Sequence, residues 1–296
     1  RQDLVNMAKY YEGLIKNFPK ASPAALAEAH FLLGRAAFDQ GDFQSSISHM
    51  SEAKTLDPQK YGEQVNVLTV LSYHKLQDVN KLKEALETLQ KENPAAVSRV
   101  PDVIPAWLGL QAYGMKDLET ADKYMTWATQ NDQLQNVKKV IWRNLAKVRL
   151  ALKKYDRALV ASNNFLKVED QPYRRADGML DKASILLGLG KYADARKTAE
   201  EALALGVEGP LMASLKIVLG DISYAEKKFD EAAKHYGVTA ELFVNDAELK
   251  PKALFKAAEA LDKAGRKSEA SQYRARLQKE FPDWKQEGES LPPDAR

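Results

Sequence analysis

The chain has 296 residues, of which 45% are hydrophobic and 29% are charged, so it holds enough apolar side chains to fold and is not globally disordered. It contains no cysteine, which excludes disulfide scaffolds, thiol nucleophiles and zinc sites built on thiolates. The net charge of +3 is too small for a dedicated nucleic-acid binder, and no apolar stretch is long enough to predict a membrane span. A chain of this length favours two domains or an elongated repeat array.

The chain opens with a pattern that predicts a single helix. Apolar residues recur at helical spacing as far as Leu14 and Phe18, and Pro19 ends the helix because proline cannot continue it. We expect residues 1–23 to be a half repeat, the second helix of a unit whose first helix is absent. Because the chain begins with Arg1 and not with methionine, we expect a processed or excised product, in which membrane association would depend on a missing N-terminal segment. The same pattern recurs near the other end at Tyr273, Leu277, Phe281 and Pro282.

A short pattern then recurs along the chain, namely a large apolar residue, two further residues and a small residue. The small residues are 36 to 39 positions apart, and seven copies at such regular spacing predict a repeat architecture. In the last copy Lys267 stands at the large apolar position. The small residues are Ser46, Ala85, Ala121, Ala158, Ala195, Ala232 and Ala270.

Each copy carries one predicted helix before the pattern and one after it. In the first copy, residues 27–38 are apolar at helical spacing, Gly41 and Asp42 mark a turn, and a second helix runs from about Phe43 to the break at Pro58. The small residue lets two antiparallel helices approach closely, and the large residue one turn earlier fills the space between neighbouring repeats. Further turns are predicted at Lys153-Lys154, Gly190-Lys191, Lys227-Lys228 and Gly265-Arg266.

Two segments interrupt this rhythm. Three prolines predict an extended connector over residues 94–105, because a proline disfavours helix in the residue before it. The last segment, residues 283–296, is polar and is predicted to be a disordered tail, from which Trp284 docks back on the last repeat. The predicted segments are therefore the half repeat at 1–23, repeats 1 and 2 at 24–93, the connector at 94–105, repeats 3 to 7 at 106–282, and the tail.

The repeated residues resemble those of the tetratricopeptide repeat family over about residues 24–282. Their spacing is slightly longer than the usual period of about 34 residues in that family. The resemblance implies an all-α fold, a right-handed superhelical solenoid of antiparallel helix pairs with about seven tetratricopeptide-like repeats and a leading half repeat. The first copy matches best, through Leu33, Gly34, Gly41, Phe43, Ser46, Met50, Ala53 and Pro58.

The N-terminal part is also similar to bacterial envelope proteins of this family, among them outer-membrane assembly lipoproteins and a coordinator of cell-wall synthesis. The similarity lies in the run from Tyr11 through residues 17–23 that leads into Leu33 and Gly34. It implies a periplasmic or outer-membrane-associated location in preference to a cytoplasmic one.

The sequence lacks the motifs that mark most enzymes. It has no glycine-rich loop with the spacing that binds phosphate and no His-Glu-x-x-His motif. The four histidines, His30, His49, His74 and His235, are spread along the chain, and we expect each to be an ordinary packed or surface side chain. We therefore predict no enzymatic activity, no cofactor and no metal site.

The resemblance implies that the first helix of every repeat lines a concave groove, which can hold an extended segment or a helix of a partner. We predict a groove that mixes apolar and aromatic side chains with a basic centre. Such a groove suits a protein or peptide with apolar anchors and an acidic group or C-terminal carboxylate. The predicted groove residues are Phe31, Arg35, Phe38, His74, Trp107, Tyr113, Arg143 and Lys147.

Positive charge is concentrated in the middle of the chain. Residues 132–182 contain twelve Lys or Arg and six Asp or Glu, and Lys139, Arg143 and Lys147 recur every four residues on one helix face. One interpretation of this basic stripe is a clamp for an acidic group, and the other is a solvated helix face. Nucleic acid is not expected as a partner, because no aromatic residues interleave the stripe to stack on bases.

Two functional hypotheses follow from the sequence. The first is a non-catalytic protein–protein interaction scaffold that binds a peptide or protein segment in its concave groove. The alternative is a structural or assembly component of a bacterial envelope or pilus complex, which would use the convex face or the termini of the array.

Overall fold

The computed structural model describes residues 2–130, 135–242 and 247–285, and every regular element in these ranges is helical. The chain divides into two compact units, Arg1–Gln135 and Asn136–Arg296, which are taken in turn. No helix in the described ranges is both long and apolar enough to cross a membrane. Most of the predicted tail, residues 286–296, lies outside the described residues.

Unit 1 consists of a leading helix, three helix pairs and one short 3₁₀ helix, Pro94–Arg99, between the second and third pairs. Each helix packs against the next one along the chain, and α2 also touches α4, so the contacts join elements that are close in sequence. The helices are α1 (Gln2–Asn17), α2 (Pro23–Gln40), α3 (Phe43–Leu56), α4 (Pro58–Leu76), α5 (Val79–Glu92), α6 (Val103–Gly114) and α7 (Leu118–Ala128).

Unit 2 consists of four helix pairs. First helices of successive pairs also touch one another: α10 contacts α12, and α12 contacts α14. After the last helix, the ring of Trp284 lies 5.6 Å from the ring of Phe255, so the expected docking of Trp284 is observed. The helices are α8 (Gln135–Ala151), α9 (Tyr155–Val168), α10 (Pro172–Gly188), α11 (Tyr192–Ala204), α12 (Gly209–Ala225), α13 (Phe229–Leu242), α14 (Leu249–Lys263) and α15 (Lys267–Glu280).

The turn inside each pair is closed by one residue with left-handed backbone. In three turns that residue is glycine, which adopts this conformation without a Cβ penalty, as at Gly41 with a φ of 86°. In the other four turns a residue with a side chain is held at a φ between 56° and 62°. The seven turn residues are Gly41, Gln77, Lys116, Lys153, Gly190, Lys227 and Gly265. Each lies five positions before the small residue of its repeat, except Gln77, which lies eight positions before Ala85.

The recurring small residues lie where the paired helices meet. None of the seven exposes more than 9% of its surface. Close approach is most evident between α12 and α13, where Gly220 faces the ring of the buried Tyr236. The all-α fold of antiparallel helix pairs that the sequence predicted is therefore confirmed, with seven pairs in the part of the chain described.

The segment 94–105 is not the extended connector that its prolines predicted. Residues 94–99 form the 3₁₀ helix, and α6 begins at Val103, so that Pro105 lies in its first turn and is buried. Proline is accepted there because the N–H groups of the first turn have no acceptor within the helix. Ala96 and Val100 add to the apolar core of unit 1, and the boundary between the units falls after Gln135.

Candidate functional site

A concavity of about 400 Å³ lies between α2 and α4 in unit 1. Phe31, Arg35 and Phe38 all line it, because positions i, i+4 and i+7 share one face of a helix. Three of the predicted groove residues are thus brought together at one place. The sequence did not identify the remaining lining residues, which are Asp39, Gln64, Val67, Leu68 and Arg99.

The floor of this concavity is apolar and firmly held. Phe31 is 9% exposed and stacks on Tyr61 of α4 with ring centroids 4.7 Å apart, which joins the first helices of two successive repeats. Phe38 is half-buried and meets Phe43 edge to face at 5.4 Å. Rings fixed in this way lose little conformational freedom when a ligand covers them, so the floor is suited to receive an apolar side chain.

Two arginines stand above this floor. Arg35 is exposed and makes neither a hydrogen bond nor an ion pair with any residue in the described ranges. Arg99, from the 3₁₀ helix, pairs with Glu63 at 2.5 Å. With Asp39 as the one carboxylate on the wall, the lining carries a net charge of +1, from two arginines and one aspartate. A guanidinium without a partner can bind an incoming carboxylate through two parallel hydrogen bonds.

Three other predicted groove residues lie in unit 1 but do not line this concavity. His74 and Trp107 meet edge to face with ring centroids 5.5 Å apart, and burial lowers the pKa of His74. Trp107 packs partly against the buried cluster that contains Leu108, so it contributes to the core as well as to the surface. Tyr113, on the same helix as Trp107, is half-buried.

The basic stripe of α8 faces carboxylates within unit 2. Arg143 pairs with Asp177 of α10, and its Nε lies 4.0 Å from the carboxylate of Asp181. Lys147 lies 3.9 Å from the same carboxylate of Asp181. Lys139 continues the pattern, since its ammonium lies 3.3 Å from Asp170.

Burial decides the protonation of Asp181. Its side chain is 14% exposed, and this desolvation raises its pKa to about 6 in spite of the nearby Lys147 and Arg143. An acidic ligand at the basic stripe would have to compete with carboxylates that are already in place. Arg143 and Lys147 as partner contacts therefore stay a prediction, whereas Arg35 needs no such displacement.

Comparison with known proteins identifies the repeat. The tetratricopeptide repeat family matches three segments, residues 27–60, 180–243 and 252–283. No curated protein matches the chain.

Solved structures of other proteins share the architecture. The apo form of RapI has 15% sequence identity, with a TM-score of 0.53 over 88% of this chain and 78% of that one. A single-residue variant of the "Podosopora anserina putative kinesin light chain nearly identical TPR-like repeats" has 12% identity and a TM-score of 0.50 over 60% of this chain and 92% of that one. At such identities the likeness concerns the fold alone.

Proposed function

The chain is a tetratricopeptide repeat protein, and from this premise we propose that it is an interaction scaffold that holds a segment of another protein against α2 and α4. The observation that carries the proposal is the concavity of unit 1, where an apolar floor lies beneath Arg35, a cation without a partner in the described ranges. Apolar contact with Phe31 and Phe38 supplies affinity, and the cation fixes the orientation of the bound segment.

The chemistry of the concavity defines the segment it would bind. A volume of about 400 Å³ admits one or two side chains, not a whole domain. The segment carries a large apolar side chain for the floor and, next to it, an Asp, a Glu or a C-terminal carboxylate for Arg35. We place the contact here in preference to Arg143 and Lys147, because those cations already face Asp177 and Asp181.

A second candidate function, a structural part of a bacterial envelope or pilus complex, rests on a different surface. On α1, Tyr10 is 67% exposed, and Phe18, just past the end of the helix, is 65% exposed. An apolar concavity of about 480 Å³ adjoins Phe18 and Pro19. Large exposed aromatic side chains around such a concavity are typical of an assembly interface. A periplasmic or outer-membrane-associated location belongs to this second candidate.

Peptides selected from a random display library against the intact chain provide the test. Their affinities are then measured by fluorescence anisotropy on the wild type and on Arg35→Glu, Phe38→Ser and Lys91→Glu. Lys91 is exposed on α5 and lies outside the concavity, so its reversal matches the charge change of Arg35→Glu. We expect Arg35→Glu to lose about tenfold to a hundredfold in affinity, because a hydrogen bond to a charged group contributes about 1.5–3 kcal/mol. A similar loss is expected for Phe38→Ser, because full burial of a phenylalanine side chain contributes about 1.5–3 kcal/mol.

The outcome separates the two candidates. Selected peptides rich in adjacent apolar and acidic residues, with Lys91→Glu binding as the wild type does, would support the groove. Equal binding by the wild type, Arg35→Glu and Phe38→Ser would refute it. Loss of binding on Tyr10→Ser and Phe18→Ser instead would move the interface to α1 and favour an assembly function.

A further inference from the structure

Two of the four histidines form a pair that their positions in the sequence did not indicate. His30 of α2 and His49 of α3 belong to one helix pair, and their Nδ1 atoms lie 3.0 Å apart. The ring centroids are 5.2 Å apart and the planes are inclined by 43°. Both are half-buried helix residues, and packing of α2 on α3 brings together two side chains that lie 19 residues apart in the sequence.

We propose that His30 and His49 bind a divalent cation of the late first transition row, of the class of Cu²⁺, Ni²⁺ and Zn²⁺, through their two Nδ1 atoms. A metal ion lies about 2.0–2.1 Å from each imidazole nitrogen, and a tetrahedral angle then separates two such nitrogens by about 3.3 Å. The observed separation of 3.0 Å is close to this value. Neutral imidazole is the form that binds metal, so the proton shared between the two Nδ1 atoms must move to Nε2 of its own ring. With that change of tautomer, a turn of the rings that aims both Nδ1 lone pairs at the ion and an opening of about 0.3 Å convert the pair into a two-nitrogen chelate.

The charges around the pair favour a cation. The carboxylate of Glu52, one turn further along α3, acts on both imidazoles. Glu12 from α1 and Asp42 from the turn between α2 and α3 act on His49. Three carboxylates, one from α1, one from the turn between α2 and α3 and one from α3, thus contribute negative potential at the pair, which stabilises a bound divalent ion.

The site supplies only two protein ligands. Nowhere in the described ranges do three or more histidine, cysteine, aspartate or glutamate side chains assemble into a group able to hold a metal ion. Water therefore completes the coordination shell, and the ion is exchangeable. Mg²⁺ and Ca²⁺, which prefer oxygen ligands, are excluded by the chemistry of the donors.

A bound ion would also affect the first repeat as a whole. His30 precedes Phe31 on α2, and a metal shared with His49 joins α2 to α3 across their interface. Any ligand that binds the folded form alone stabilises that form. This inference does not depend on the proposed groove, because metal binding is measured without a peptide.

Calorimetric titration of the chain, free of any affinity tag, tests the proposal. The probes are ZnCl₂, NiCl₂ and CuCl₂, with MgCl₂ as the negative control. We expect one equivalent to bind, and Cu²⁺ to bind more tightly than Ni²⁺ or Zn²⁺. His30→Gln and His49→Gln are each expected to lower the association constant at least tenfold, because even loss of a residue behind the ligands costs about 10- to 100-fold. His74→Gln and His235→Gln are matched controls and are expected to bind as the wild type does.

A second measurement on the wild type covers the case in which a variant fails to fold. In NMR spectra of the histidine side chains, Zn²⁺ is expected to shift the signals of two imidazoles together and to leave the other two in place. Absence of any shift, shift of all four rings, or unchanged affinity in folded His30→Gln and His49→Gln would each overturn the proposal.

Discussion

The contact between Gly220 and Tyr236 sets a strict limit on the side chain that α12 can carry. A Cβ atom added at Gly220 would lie 2.4 Å from Cε1 of Tyr236 and 2.8 Å from Cδ1 and Cζ. Non-bonded carbon atoms prefer about 3.5–4.0 Å, so the ring would have to retreat by more than about 1 Å. Tyr236 is only 2% exposed, and its hydroxyl donates a hydrogen bond to Asp221 at 2.6 Å, so retreat means breaking that bond.

We therefore predict that Gly220→Ala destabilises the protein. Overpacking of a buried contact costs about 1–3 kcal/mol. Loss of a hydrogen bond to a charged group lowers the free energy of unfolding by about 1.5–3 kcal/mol more. The better helix propensity of alanine offsets about 1 kcal/mol of this loss. The balance is a loss of about 1.5–5 kcal/mol in the free energy of unfolding.

Gly62→Ala is the matched control, because Gly62 lies inside α4 and an added Cβ there meets nothing within 4 Å. We expect this variant to gain up to about 1 kcal/mol. Urea unfolding followed by circular dichroism compares the midpoints. Repeat chains can unfold in steps, so hydrogen exchange of the amides in α12 and α13 provides the local measure for Gly220→Ala.

One result would refute this reasoning. If Gly220→Ala unfolds at the wild-type urea concentration and leaves exchange in α12 unchanged, the two helices do not approach as closely as described. The double variant Gly220→Ala/Tyr236→Leu checks the cause, since removal of the ring should make the alanine tolerable and give a favourable coupling energy.

Two further predictions concern charged groups of unit 2. Burial raises the pKa of Asp181 to about 6 from an ordinary 3.8, so the folded form binds this proton more tightly than the unfolded form does. The stability that the wild type gains from this protonation is complete below about pH 4 and is lost as the pH rises through about 6. Asp181→Asn should therefore gain stability relative to the wild type over that interval, and an unchanged difference in urea midpoint from pH 4 to 7 would contradict this. Arg196 donates to Glu226 at 2.8 Å and to Glu231 at 2.7 Å, so Arg196→Ala should lower the free energy of unfolding by about 1–3 kcal/mol. The more exposed Arg266 provides the comparison, and a loss on Arg266→Ala as large as on Arg196→Ala would show that burial of the ion pair is not the cause.

The repeat architecture was predictable because several local signals agree on the same spacing. Buried small residues, helix-starting prolines and turn glycines all follow from the conformational limits of single residues. The turns at Gln77 and Lys116 escaped prediction, because they carry neither the glycine nor the Lys-Lys pair that marks the predicted turns. The prediction of an extended connector over residues 94–105 was wrong, because a proline such as Pro105 is accepted in the first turn of a helix as readily as it ends one.

The candidate site could be predicted only where its residues share one helix. Phe31, Arg35 and Phe38 follow from helical spacing alone, whereas Arg99 reaches the same concavity from another element and needed the structure. The carboxylates that face the basic stripe could have been predicted from the sequence. Asp177 and Asp181 follow Arg143 and Lys147 by 34 residues each, about one repeat, so that neighbouring first helices carry opposite charges at matching heights.

These ion pairs between first helices have a consequence for the order of the repeats in unit 2. The cations of α8 face the carboxylates of α10, and Asp221 of α12 faces Lys256 of α14 at 2.6 Å. Charge thus matches α8 to α10 and α12 to α14, while the buried small residue is alanine in every repeat of unit 2. If α8 were moved beside α14, Arg143 and Lys147 would meet Lys256, and like charges would oppose the exchange. The ion pairs between first helices therefore distinguish repeats that share one fold, and they oppose an exchange of positions between these repeats.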